Sequence, residues 1–169
     1  MDRSSPPVWV TVAEGRESLR STDGLSWPPP SPGRRPRHVL LLADPDGRLA
    51  DAEVEAFARS ALEQGCCWFE IWGPRAHALE ARVDTVRDEI DAAHAASEEE
   101  DDADHVVMTA SSTPEEAGLA DAVRMVLCAT CSTEGHDEDR TSRLFVLASG
   151  DASVGAELEK WLRDPDSIP

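Results

Sequence analysis

His38-Val39-Leu40-Leu41-Leu42-Ala43-Asp44-Pro45-Asp46-Gly47 is the stretch that decides the fold. Five apolar residues follow His38 without the polar alternation that a strand with one wet face would show. Such a run suits a central parallel strand covered by helices on both sides. The proline-primed Asp-Gly turn then closes it, because proline presets φ and glycine accepts the left-handed region.

Reading outward, the same phrase recurs. Short apolar runs at residues 66–72, 106–109 and 144–148 are each followed by a loop and a segment of helical periodicity. Strands alternating with helices call for a parallel sheet with helices on its faces. The expected architecture is therefore a three-layer α/β domain with a mostly parallel, four-stranded, Rossmann-like sheet. Counting those runs as strands one to four, right-handed crossovers suggest the order 2-1-3-4. Glu70 has no favourable place inside a doubly covered strand, which puts the 66–72 run at or near an edge.

The helices carry their own signals. Asp51 is a candidate cap for a helix with Val54, Phe57, Ala61 and Leu62 inside, ended by Gly65. After Gly73-Pro74, Leu79, Val83, Val86, Ile90 and Ala93 recur at helical spacing. Thr113-Pro114-Glu115-Glu116 reads as a capping box opening the third helix, whose inner face is Leu119, Val123, Val126 and Leu127. Val154, Leu158, Trp161 and Leu162 define the last.

Ahead of the sheet, Trp27-Pro28-Pro29-Pro30-Ser31-Pro32 and the residues up to Arg37 lack backbone donors at five positions and read as an extended linker. Residues 1–37 are accordingly expected to be a flexible Pro-rich N-terminal arm that the sheet does not require, with Val8 to Val12 as a possible added strand, and residues 38–169 a single α/β domain. No segment has the length and apolarity of a bilayer span or the pattern of a secretory signal, which suggests a cytoplasmic protein.

The net charge is −18, and it is uneven. Residues 1–37 hold six Arg against four acids, so the remainder carries net −20. Such a surface repels phosphates, which disfavours nucleic-acid and membrane binding by the core and favours a protein partner of basic character. The runs at residues 98–104 and 134–139 are the most acidic stretches and connect helices back to strands. They should lie at the amino end of the sheet, and they are, with the arm, the contact surfaces that the sequence suggests.

Parallel sheets bind ligands at the carboxyl ends of their strands. The residues expected there are Asp44 and Asp46, then Trp72, Gly73 and Arg75, then Thr109, Ser111 and Ser112, then Ser149, Gly150 and Asp151. Trp72, Gly73, Arg75, Thr109, Ser111 and Ser149 form the candidate ligand-binding set, as a small-molecule sensor would use them. No G-x-G-x-x-G or P-loop follows any strand, and the Asp and Lys of a phosphorylated receiver domain are missing from their places. Cys128-Ala129-Thr130-Cys131 with His136 lacks a fourth metal ligand, and Cys128 falls at a helix carboxyl end, where the dipole disfavours thiolate. No metal or cofactor is expected. Trp68 and Trp72 share one strand face and should pack into the core.

The Leu40 to Leu49 segment resembles the first motif of the haloacid dehalogenase-like phosphohydrolases. That resemblance implies Asp44 as nucleophile, Asp46 as acid/base, Thr109 and Asp151 completing the set, and Mg2+ on the phosphate oxygens. The sequence departs from that pattern in three ways. Arg48 stands where a Thr is expected, no Lys lies between the motifs, and the strand-to-helix connection is too short for a flap. A second resemblance runs along the chain through Gly65-Cys66-Cys67-Trp68-Phe69, Trp72-Gly73-Pro74, Val83-Asp84 and Val106-Val107-Met108-Thr109. These pieces look like a small bacterial α/β family of unknown function, over about residues 38–163. Ala110, Ser111 and Ser112 stand where that family continues with Thr, an aromatic residue and His. The expectation is a non-enzymatic binding or regulatory module that acts with a protein partner, with the phosphohydrolase and the sensor as alternatives.

Overall fold

The 38–43 run forms strand β3 (His38–Ala43), and every residue of it is buried. The computed structural model describes residues 10–13, 15–21, 25, 37–96, 107–131, 143–150 and 152–169. Six strands build one sheet: β1 (Val10–Ala13), β2 (Arg16–Ser21), β3, β4 (Cys66–Trp72), β5 (Met108–Ser112) and β6 (Arg143–Ser149). Four helices cover it: α1 (Asp51–Glu63), α2 (Ala76–Ala96), α3 (Leu119–Cys131) and α4 (Ala152–Arg163).

The spatial order is β1-β2-β6-β3-β4-β5. All neighbours are parallel except β1, which runs antiparallel to β2. The α/β class and the parallel core are as the alternation suggests, and the order is not. In the numbering of the four apolar runs it is 3-2-1-4, because β5 lies outside β4 instead of beside β3. The composition of β5 explains this: Met-Thr-Ala-Ser-Ser is too polar for a central strand and suits an edge. β4 is consequently one strand in from that edge.

The helices fall in two layers. Leu40, Leu42, Phe69, Ile71, Phe145 and Leu147 point to the α1 and α2 side, where Val54, Phe57, Leu79 and Val83 meet them. Val39, Leu41, Leu144 and Val146 point the other way, to Val123, Val126, Leu158 and Trp161 of α3 and α4. Each such side chain, fully buried, contributes roughly 1.5–3 kcal/mol against the entropy of ordering the chain. From β3 the chain steps outward twice through α1 and α2, then crosses back beneath the sheet through α3 to place β6 on the other side of β3. The reversal sets a topological switch point between β3 and β6.

Two strands fall inside the segment expected as an arm, and the sheet does use them. β2 pairs along its full length with β6, from Arg16 opposite Leu144 to Ser21 opposite Ser149. The Leu144 amide also donates to the Gly15 carbonyl (2.8 Å). Without this hairpin β6 would be a bare apolar edge. The Pro-rich stretch and both acidic runs lie outside the described residues.

Helix ends differ from expectation in two places. The N-cap of α1 is Ala50, whose extended backbone (φ −76°, ψ 143°) precedes the helix, and its amide donates to Glu53 Oε2 at 3.2 Å. Asp51 is the first helical residue and serves a different purpose. Thr113 and Glu116 do bond as a box, the Thr113 amide donating to Glu116 Oε2 at 2.9 Å, but they close a separate turn and α3 begins at Leu119. Gly65 (φ 98°) ends α1 as the sequence suggests. In α2, Leu79, Val83 and Val86 are buried, while Ala93 is exposed on a final turn that projects beyond the core. Among the described residues no helix is long and apolar enough to cross a membrane.

Candidate functional site

The switch point is where this architecture would seat a ligand, and Asp44 occupies it. The residue is only 1% exposed. Its Oδ1 accepts from the Ser149 hydroxyl (2.7 Å) and the Arg48 amide (3.1 Å), and its Oδ2 from the Leu49 amide (3.2 Å). The Asp44 amide donates to the Trp72 carbonyl (2.8 Å) and its carbonyl accepts from Gly47 (3.2 Å). A carboxylate that accepts several protein donors is a loop clamp. It ties the end of β3 to the end of β6 and pins the 44–49 turn.

The neighbouring backbone packs closely against the same turn. Gly73 (φ 149°) sits so close that an added Cβ would lie 2.2 Å from the Asp44 carbonyl oxygen. Only glycine fits that approach. At Gly150 (φ 83°) a Cβ would lie 2.8 Å from Asp46 Oδ2, so Asp46, Asp44, Ser149 and Gly150 converge as a group. Asp46 also faces the Arg48 guanidinium at 3.7 Å, an exposed pair of little energetic consequence.

Trp72 and Arg75 are present at this rim and are engaged within the chain. The indole of Trp72 donates to the Ala117 carbonyl (3.0 Å), anchoring the turn before α3, and both Trp68 and Trp72 pack against the α3 and α4 layer. Arg75 donates to the Leu49 carbonyl (2.8 Å) and pairs with Asp51, which also receives Arg82 (3.2 Å). Two guanidiniums thus bind α1 to α2 through one carboxylate. The hydrogen bond from Arg75 comes first among the causes that hold the Asp51 carboxyl below its ordinary range.

Thr109 and Ser111 are elsewhere. β5 starts at Met108 and runs to Ser112, so Ser112 stands opposite Trp72 while Thr109 stands opposite Phe69, three residues or roughly 10 Å below the rim. Both side chains face α2. The Thr109 hydroxyl donates to Asp84 Oδ1 (2.7 Å). The Ser111 hydroxyl donates to Glu80 and lies 2.8 Å from His77 Nδ1, whose Nε2 lies 3.0 Å from Glu116 Oε1. This Ser–His–Glu chain was not legible in the sequence, where His77 shows no partner at a recognisable elbow. The Ser111 hydroxyl thus lies between the Glu80 carboxylate and the His77 ring. Glu116 is held below its ordinary range, first by the Thr113 amide and then by His77.

Thr109 therefore does not join Asp44 and Asp46, and the phosphohydrolase set loses its third member. Asp151, its fourth, lies outside the described residues. Among the described residues no group of three or more His, Cys, Asp or Glu side chains is placed to hold a metal ion. Cys66 is buried, and burial pushes its thiol far up. Cys67 is half-buried, and Cys128 is exposed on α3. Glu70 is 2% exposed, and its Oε2 accepts from the Trp68 indole (3.2 Å). Burial raises its carboxyl above the ordinary range, against the Trp68 bond that lowers it. An open groove of about 410 Å3 lies beside α1, lined among the described residues by Leu25, Ala52, Glu53, Ala56, Phe57 and Ser60.

The order β5-β4-β3-β6 and two helical layers define a Rossmann-like three-layer α/β domain. A family model described as a domain of unknown function, DUF7684, matches residues 19–165, and the chain belongs to that family. The match begins within β2 and so takes in more than the 38–163 stretch that carries the sequence resemblance. No curated protein matches the chain.

Proposed function

We propose that this chain is a non-enzymatic binding module of a bacterial cytoplasm, acting by contact with a protein partner of basic character. The observation that carries this reading is the state of Asp44. Both its oxygens are engaged by Ser149, Arg48 and Leu49, and the backbone of Gly73 fills the space in front of its carbonyl. A nucleophilic aspartate needs a free oxygen facing substrate, and a sensor needs a crevice that its own loops do not occupy. The excess of acid over base supports the basic character of the partner, since net charge steers association even where it says nothing of fold. Nucleic acid and anionic membranes are disfavoured by the same charge.

Affinity capture from the native host at low salt tests the proposal. A stoichiometric basic protein released by raised salt is the expected result. Mg2+-dependent release of phosphate from an aryl phosphate, lost in Asp44→Asn, would overturn it, as would thermal stabilisation by a metabolite with no protein captured.

A further inference from the structure

β5 ends the sheet, and among the described residues nothing pairs with its outer side. The register shows which main-chain groups are left there. The Ser112 carbonyl accepts from the Gly73 amide, so Ser112, and with it Ala110 and Met108, turn their amides and carbonyls toward β4. Thr109 and Ser111 therefore turn theirs outward, offering two donors and two acceptors in strand geometry.

The two faces beside that edge differ. On the α2 face stand Glu80, Asp84 and Glu116, with Arg87 paired to Asp84 at 3.0 Å and His77 to Glu116 at 2.8 Å. On the other face α3 covers β3 and β4 and leaves β5 open. Arg124 donates to the carbonyl of Pro169, at the end of the segment that follows α4, which fixes the flank of α3 that faces α4. Met125 follows Arg124 by 100° of helical turn, on the far side of the buried Ala122, Val123 and Val126 stripe, and so lies on the flank toward β5. Met125 is 50% exposed and Met108, on β5 itself, 48%; they are the two exposed large apolar side chains among the described residues. Half-buried Trp68 lies opposite Met108.

We infer that β5 is the docking edge for an extended, basic segment of a partner protein, added as a further strand with its apolar residues on the Met108–Met125 shelf and its Lys or Arg residues toward Glu80, Asp84 and Glu116. This rests on the binding-module reading and specifies its surface. Main-chain bonds to Thr109 and Ser111 give the affinity of strand addition, and the two unlike faces give alternate-residue specificity. A second copy of this chain fits less well, since both copies would bring the same carboxylates together.

The test is a displayed library of random short peptides selected on the full chain. The selected peptides should alternate basic and apolar residues, protect the Thr109 and Ser111 amides from hydrogen exchange, and weaken as salt rises. Thr109→Pro removes one outward donor at an edge position that tolerates proline, and should weaken binding about tenfold. Thr109→Val loses the Asp84 bond but keeps the amide, so bound peptide should still protect that amide from exchange. Failure of the selection to converge, acidic or helical consensus peptides, equal binding by Thr109→Pro, or a dimer of the free chain that protects the same amides would each overturn the inference. A host partner captured equally well by Thr109→Pro would sink this edge while leaving the module reading standing, whereas Asp44-dependent catalysis would sink the module reading itself.

Discussion

Asp44 and Asp46 are the same residue type two positions apart, yet the fold uses them differently. Asp44 is buried under three donors, and Asp46 stays near the surface beside Gly150. Ser149→Ala removes the shortest of the Asp44 bonds and should cost about 1–2 kcal/mol, read as a lower urea midpoint with unchanged slope. Gly73→Ala sets a Cβ against the Asp44 carbonyl at a positive φ and should cost on the order of 3 kcal/mol by the same measurement. Glu70 carries a pH signature. Its folded pKa is raised by burial, so the folded state holds the proton more tightly than the unfolded chain. The stability it contributes is present below its ordinary value of 4.5 and is lost as pH rises through the folded value. Glu70→Gln should therefore be more stable than the native chain at neutral pH and differ little from it below pH 4.5, in paired denaturation curves.

At the scale of elements, the two guanidiniums on Asp51 join α1 to α2. Its folded pKa is lowered, so its contribution is present above the ordinary 3.8 and is lost as pH falls through the folded value. Asp51→Asn should flatten the acid limb of the stability profile, which a thermal-melt series across that range would check. The strand cores were legible in the sequence because the middle of a strand buried on both faces must be apolar, as Val39 to Ala43 of β3 and Leu144 to Ala148 of β6 are. β5 was harder. The apolar side chains point to residues 106–109, although the strand runs on through Ala110, Ser111 and Ser112 because an edge strand with one open side tolerates polar residues. That shift of three residues moved Thr109 away from the rim where it was expected. The hydrogen-bonding role of Asp44 was equally hidden, since an Asp after a strand reads alike as nucleophile and as loop clamp until its partners are known.

For the whole molecule, the hairpin of β1 and β2 is the part that the sequence understated. Arg16-Glu17-Ser18-Leu19-Arg20-Ser21 has no apolar run, and its place is set by β6, whose six paired residues need a neighbour. Deleting residues 1–21 should bare the edge of β6, lower the unfolding midpoint and give association at higher protein concentration, seen by light scattering. The neighbour order of the four core strands was likewise out of reach of local patterning, because periodicity identifies strands one at a time and says nothing of which lie side by side.

The bond between Asp44 and Ser149 joins residues 105 positions apart. On a chain emerging from the ribosome, β3, α1 and β4 can assemble early, but β3 must wait with one side unpaired until β6 has been synthesised and α3 has carried it back across the sheet. The latch at the switch point is thus among the last contacts available to form, and a chain stalled before residue 143 would present the most apolar strand of the protein as an open template to its neighbours.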